Sequence, residues 1–181
     1  MAAYDNLYNQ TVLDLGYSVK VLFIKGFLNV WGPEGEMETY KILQFHLHAP
    51  AEHTIDGKYY ELELHIVHAN AVTGKLAVVG IFFDHLEGGN KANDFITSLQ
   101  IGTPNAFAPT IPLMTLMKQA TENKSFYQYQ GSLTTPHCDE IVTFNILKEP
   151  QHISEAQIAL FNAKWKDNSH FANGNGNNRA I

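Results

Sequence analysis

Between Gln44 and Val67 the side chains alternate with a period of two around a single Asp56-Gly57 pair: Gln44-Phe45-His46-Leu47-His48 before it, Glu63-Leu64-His65-Ile66-Val67 after it. Alternate residues of a strand point to the same face of a sheet, so Gln44, His46 and His48 share one face, and Glu63, His65 and Val67 share one on the return strand. Asp-Gly is a strong two-residue hairpin signal. A turn centred on it predicts His48 directly opposite His65, with Cβ atoms about 4.5–5.5 Å apart, and His46 diagonally beside them. A bulge in Ala49-Pro50-Ala51 would shift this pairing by a residue, but the three imidazoles stay clustered even after a slip of two.

A single histidine in a strand is usually a hydrogen-bonded core residue. Three on one face, with an amide and a carboxylate beside them, point to a metal. Neutral imidazoles suit Zn2+, and three protein nitrogens leave the fourth tetrahedral position for water, the arrangement of a catalytic site. Such a metal brings the pKa of its bound water to about 7 and so makes hydroxide available at neutral pH. Gln44 and Glu63 can accept hydrogen bonds from the outward ring N–H groups, which fixes the tautomer and orientation of the ligands.

The rest of the chain reads as mostly strand with a few short helices. Period-two or β-branched runs bounded by Gly, Pro and Asn predict strands at 18–24, 38–48, 59–69, 76–84 and 140–147. Helices are predicted at 92–100, 111–121 and 155–165, the last opened by Ser154 and Gln157 at capping-box spacing. No internal repeat is present, and the Asn/Gly-rich run 171–178 reads as a loop. With 181 residues, 45% hydrophobic and 17% charged, one globular domain over 1–181 is expected. The formal net charge of −6 argues against a nucleic-acid partner. No stretch approaches the roughly 18–20 apolar residues of a membrane span, and the first residues lack the basic start and apolar core of a signal peptide. No heptad or long apolar edge indicates an oligomeric state.

The run QFHLHAPAEHTIDGKYYELELHIVHAN from Gln44 to Asn70 resembles the zinc-binding core of the alpha-class carbonic anhydrases. Tyr129-Gln-Gly-Ser-Leu-Thr-Thr-Pro-His-Cys138 resembles that family's substrate-side loop, and Leu76-Ala-Val-Val-Gly-Ile-Phe82 and Asn177-Asn178-Arg179 resemble further blocks in the family's order. The resemblance implies an α+β fold, mainly β, with a central, mostly antiparallel twisted sheet and a few short peripheral helices. It also implies reversible hydration of CO2 to bicarbonate and a proton, with zinc hydroxide as nucleophile. On this reading His46, His48 and His65 are the zinc ligands, and Gln44 and Glu63 support them. Thr134 accepts from the hydroxide while donating to Glu52, and Thr135 helps hold bicarbonate. Val67, Val78, Leu133 and Val142 form the apolar wall where CO2 rests, a suitable surface for a neutral substrate. His53 and Tyr129 match a structural pair beneath the site. A secreted or organelle-lumen location is the family's leaning.

The chain departs from the family pattern in three respects. It is shorter at both ends than the usual catalytic domain. Tyr17 stands where fast members place a histidine proton shuttle, and a phenol with a pKa of about 10 relays protons poorly near pH 7. His137 is either a substitute relay or an exposed turn histidine. Cys138, the single cysteine, is either a buried thiol or, by resemblance to secreted members, a half-cystine whose partner lies in the missing N-terminal part. Two other functions remain open. One is a non-catalytic scaffold of the same family, although non-catalytic relatives usually lose a ligand histidine and all three are present here. The other is a cupin-type metal protein, suggested by His46-x-His48-x3-Glu52 but opposed by Tyr40 where that motif wants glycine and by the lack of a Pro-x-Gly before His65.

Overall fold

The computed structural model describes residues 2–16, 18–23, 25–32, 35–134 and 136–165. In chain order these form β1 (Ala2–Ala3), β2 (Leu7–Asp14), β3 (Val19–Leu22), β4 (Phe27–Trp31), β5 (Met37–His48), β6 (Thr54–Ile55), β7 (Lys58–Tyr59), β8 (Leu62–Ala69), β9 (Leu76–Phe83), α1 (Asp94–Ser98), β10 (Ala106–Ile111), α2 (Leu113–Ala120), β11 (Phe126–Gly131), β12 (Val142–Leu147) and α3 (Glu155–Trp165). The architecture is mainly β with a few short helices, as expected. Ten strands make one mixed sheet in the order β10-β2-β3-β5-β8-β9-β12-β11, with β4 on β5 beyond β3 and β1 on β4; β6 and β7 are a separate two-stranded hairpin. All pairings are antiparallel except β9 with β12.

The alternation in β5, β8 and β9 sorts residues onto two faces. One face carries Phe45, Leu47, Leu64, Ile66, Val79 and Ile81 into the main core, which the helices cover with Phe95, Leu116 and Phe161. The other carries the histidines and a smaller apolar cluster around Val67, Val78, Phe82, Val142 and Phe144.

Four substantial strands, β2, β4, β10 and β11, go beyond those expected from the sequence, and each lacks a period-two signal for a physical reason. In β2, Asn9 adopts φ 54, which interrupts the alternation. β4 exposes Phe27 and Trp31 outside its buried Leu28 and Val30, so its polarity pattern is inverted. β10 contains Pro109 and lies at one end of the sheet, where proline's missing N–H is tolerated. β11 closes the other end, with five of its six residues exposed. The helix ends are set by local chemistry. Asn93 caps α1 by accepting from the N–H groups of Phe95 and Ile96. The Ser154/Gln157 capping box forms: Gln157 N–H donates to Ser154 Oγ and Ser154 N–H to Gln157 Oε1, both at 3.3 Å.

The register of the central hairpin corrects the expected pairing. Asp56-Gly57 is a turn, with Thr54 opposite Tyr59 and Ile55 opposite Lys58. The long strands pair in a different frame: His46, not His48, lies opposite His65, and His48 lies opposite Glu63. Ala51 N–H still bonds Tyr60 C=O in the long-strand frame, so the slip of two residues falls at Glu52 and His53, not in Ala49-Pro50-Ala51. Both of their amide N–H groups leave the ladder and donate to Glu63 Oε2 at 2.9 Å. A buried carboxylate thus takes the place of the missing ladder acceptors.

Candidate metal centre

Cross-strand partners form rows across the site face. One runs Leu13, Lys20, His46, His65, Gly80 and Ile146 over β2, β3, β5, β8, β9 and β12. The next runs Leu22, Gln44, Val67, Val78 and Phe144. His48 enters from the adjacent position of β5. The imidazole centroids are 4.7 Å apart for His46 and His48, 4.7 Å for His48 and His65, and 5.4 Å for His46 and His65. One nitrogen from each ring lies within 4.8 Å of the others.

The outward nitrogens have fixed partners. His46 Nδ1 donates to Gln44 Oε1 at 2.9 Å, which leaves Nε2 for the centre. His65 Nε2 donates to Glu63 Oε1 at 2.8 Å, which leaves Nδ1. Glu63 is fully buried and also accepts from His53 Nδ1 at 2.7 Å. His53 Nε2 in turn accepts the Tyr129 hydroxyl at 2.5 Å, and Tyr129 stacks on Phe144 at 5.1 Å. With the two backbone donors already described, Glu63 has four hydrogen bonds, enough to hold a carboxylate rigid behind His65. Glu52 Oε2 lies 3.4 Å from His48 Nε2 and 3.7 Å from His65 Nδ1, and its side chain is hydrogen-bonded to Thr134.

Burial dominates the electrostatics. It pushes His46 down to about 3, with the charges of His65 and Lys20 adding to it. It drives His48 well below its ordinary value, reinforced by His65 and His46. His65 is raised: burial opposes its charge, but the charge and hydrogen bond of Glu63 outweigh that. Burial alone would raise Glu63, yet the His65 charge and the bonds from His53 and His65 hold it well below the carboxylate range. Burial raises Glu52, partly offset by the His65 charge and the Thr134 bond.

The residues singled out from the sequence fall as follows. His46, His48 and His65 converge, with Gln44 and Glu63 on two of their outer nitrogens. Val67, Val78 and Val142 form one apolar cluster, with Leu133 packed against it. Thr134 and Glu52 meet. Tyr17, Thr135 and the Asn177-Asn178-Arg179 block lie outside the described residues. His137 is exposed and Cys138 half-buried. Sequence reasoning missed Gly80, where an added Cβ would lie 2.9 Å from Glu63 Oε1 and 2.6 Å from Ile146 Cδ1. It also missed Lys20, which occupies the row beside His46, and Phe144. Gly80 lies in the Leu76–Phe82 block that resembles the family, but nothing in the sequence singles out the role of these three, because each matters through a neighbour on another strand.

The donor set fits Zn2+. Three buried or half-buried imidazoles converge, and both nitrogens of His48 are buried with no hydrogen-bond partner among the described residues, a costly state that coordination relieves for one of them. No helix among the described residues is long and apolar enough to cross a membrane.

Comparison with known proteins agrees with this geometry. The family model of the eukaryotic-type carbonic anhydrases matches residues 1–180. A carbonic anhydrase of Klebsiella pneumoniae is 38% identical over 130 residues, which cover 70% of this chain and 51% of that protein. The chain therefore spans about half the length of this relative. An alpha-carbonic anhydrase of Photobacterium profundum superposes with a TM-score of 0.77 at 30% identity, covering 100% of this chain and 76% of that one. The alpha-carbonic anhydrase of Thermovibrio ammonificans, solved with the inhibitor sulfanilamide, gives 0.77 at 30% identity, covering 99% and 73%. With the cupin alternative thereby set aside, the sheet order, the histidine row and a match along nearly the whole length place this chain in the eukaryotic-type carbonic anhydrase family.

Proposed function

We propose that this chain binds Zn2+ through His46, His48 and His65 and catalyses the reversible hydration of carbon dioxide to bicarbonate and a proton. The observation that carries the reading is the convergence of three imidazole nitrogens within 4.8 Å, at the edge of an apolar cluster. Zinc held by three neutral imidazoles supplies a Lewis acid that makes water ionisable near neutral pH.

This chain's own residues do the rest. Gln44 and Glu63 hold the His46 and His65 rings in the tautomers that present Nε2 and Nδ1 inward. Thr134 donates its proton to Glu52, so its oxygen is left to accept from the attacking water and fix its orientation. Val67, Val78, Leu133 and Val142 offer CO2 a surface with no polar group to compete for it. One C–O bond forms, and the proton released leaves to buffer. A secreted or organelle-lumen location is part of this proposal.

Metal analysis with stopped-flow CO2 hydration tests it. We expect about one zinc per chain and measurable hydration. His65→Ala should lose most of the metal and essentially all hydration, because two ligands cannot complete the site. Zinc retained near one equivalent in that variant would refute the ligand assignment, and a zinc-loaded parent without hydration would favour the scaffold reading.

A further inference from the structure

Lys20 pairs with His46 across β3 and β5 and with Leu13 across β2. Direct cross-strand partners project to the same face, with Cβ atoms about 4.5–5.5 Å apart, so the Lys20 stem rises from the site face one strand from a proposed ligand. Its flanking residues on β3, Val19 and Val21, point the other way into the main core. The side chain is half-buried, and no carboxylate lies within ion-pair distance of its ammonium among the described residues. Glu52 and Glu63, the acids of the site, are engaged behind the histidines with Thr134 and with His53 and His65. Around it on this face stand Leu13 and Leu22, with Gln44, engaged by His46, opposite Leu22.

A half-buried cation beside a site that takes a dication opposes metal binding, and among the described residues no carboxylate pairs with it to compensate. A positive charge at this place is favourable when a small anion sits between it and the metal. Bicarbonate, the anionic partner of the proposed reaction, is such an anion. We propose that Lys20 is an anion-binding residue of the metal site, drawing bicarbonate and other small univalent anions to the metal and holding them there. This rests on the zinc reading above and adds to it a determinant of which species the site favours.

The test reads binding without catalysis. Parent, Lys20→Met and Lys20→Arg are loaded with Co2+, and thiocyanate and bicarbonate are titrated by visible absorption. At low ionic strength Lys20→Met should bind both anions roughly two- to fivefold more weakly, the effect of losing one solvent-screened charge pair. The gap should close in about 0.5 M salt, and cobalt content should stay at one equivalent or tighten. Lys20→Arg should restore anion affinity. In the zinc enzyme the Michaelis constant for bicarbonate should rise by a similar factor in Lys20→Met. Equal anion affinities for fully loaded parent and Lys20→Met at low salt overturn the role of Lys20 alone. A loss that Arg fails to restore shows stem packing instead of charge and overturns it too. Failure of the parent to take up cobalt overturns the metal-centre reading, and the proposal with it.

Discussion

Gly80 shows how tightly the supporting atoms of the histidines are packed. Its absent Cβ leaves room for Glu63 Oε1, the oxygen that orients both His53 and His65. Gly80→Ala should displace that carboxylate and weaken metal affinity about 10–100-fold, the usual effect of losing a partner of a ligating histidine. Because the new methyl also meets the flexible end of Ile146, combining it with Ile146→Val separates the two contacts. Metal competition assays should show the loss persisting in the double variant. Recovery would assign the effect to packing against Ile146. At the same scale, Thr134→Ala should reduce hydration while sparing metal content, since Thr134 is hydrogen-bonded to Glu52, which is not one of the proposed ligands; loss of metal in this variant would place Thr134 in the ligand support.

Among the elements, α1 and α3 are joined by one buried amide. Gln157 accepts from Asn93 N–H at 2.9 Å and donates to Asn93 C=O and Thr97 Oγ1 at 2.9 Å, while also closing the cap of its own helix. Gln157→Leu keeps the volume and strands the Asn93 N–H, which costs about 1–3 kcal/mol when buried, while Asn93 C=O keeps its bond from Thr97 N–H. Urea unfolding should therefore show a loss of about 1–3 kcal/mol, with metal content unchanged because both helices lie on the opposite face of the sheet from the histidines. A change below about 1 kcal/mol, the lower end of that cost, would mean that water replaces the amide.

Across the whole molecule, His68, a buried histidine outside the metal centre, contributes to the loss of stability in acid. His68 faces the main core, donating Nδ1–H to Ala77 C=O and accepting from the Tyr4 hydroxyl, both at 3.1 Å. Burial lowers its pKa from 6.5 to about 4. Between these values the unfolded chain binds a proton that the folded chain does not, so the stability present above pH 6.5 is lost as pH falls towards 4. The slope for one such proton is about 1.4 kcal/mol per pH unit. Urea unfolding of His68→Gln at several pH values should show a dependence shallower than the parent's by up to this amount in that window. Identical slopes would show that His68 is protonated at no cost.

The sequence by itself determined which side chains share a face. A period of two is a property of any extended strand, so the grouping of Gln44, His46, His48, Glu63, His65 and Val67, and with it a three-imidazole centre, is legible in the order of residues alone. Asp56-Gly57 likewise marked its own turn. The tertiary structure alone decided which residues stand opposite one another, because the two residues Glu52 and His53 leave the ladder to satisfy a buried carboxylate whose position depends on β9 and β12. It also decided the places of Gly80, Lys20 and Phe144 in the site, and of β2, β4, β10 and β11 in the sheet. These depend on neighbours distant in sequence, whose packing overrides a weak local pattern and leaves no local trace of it.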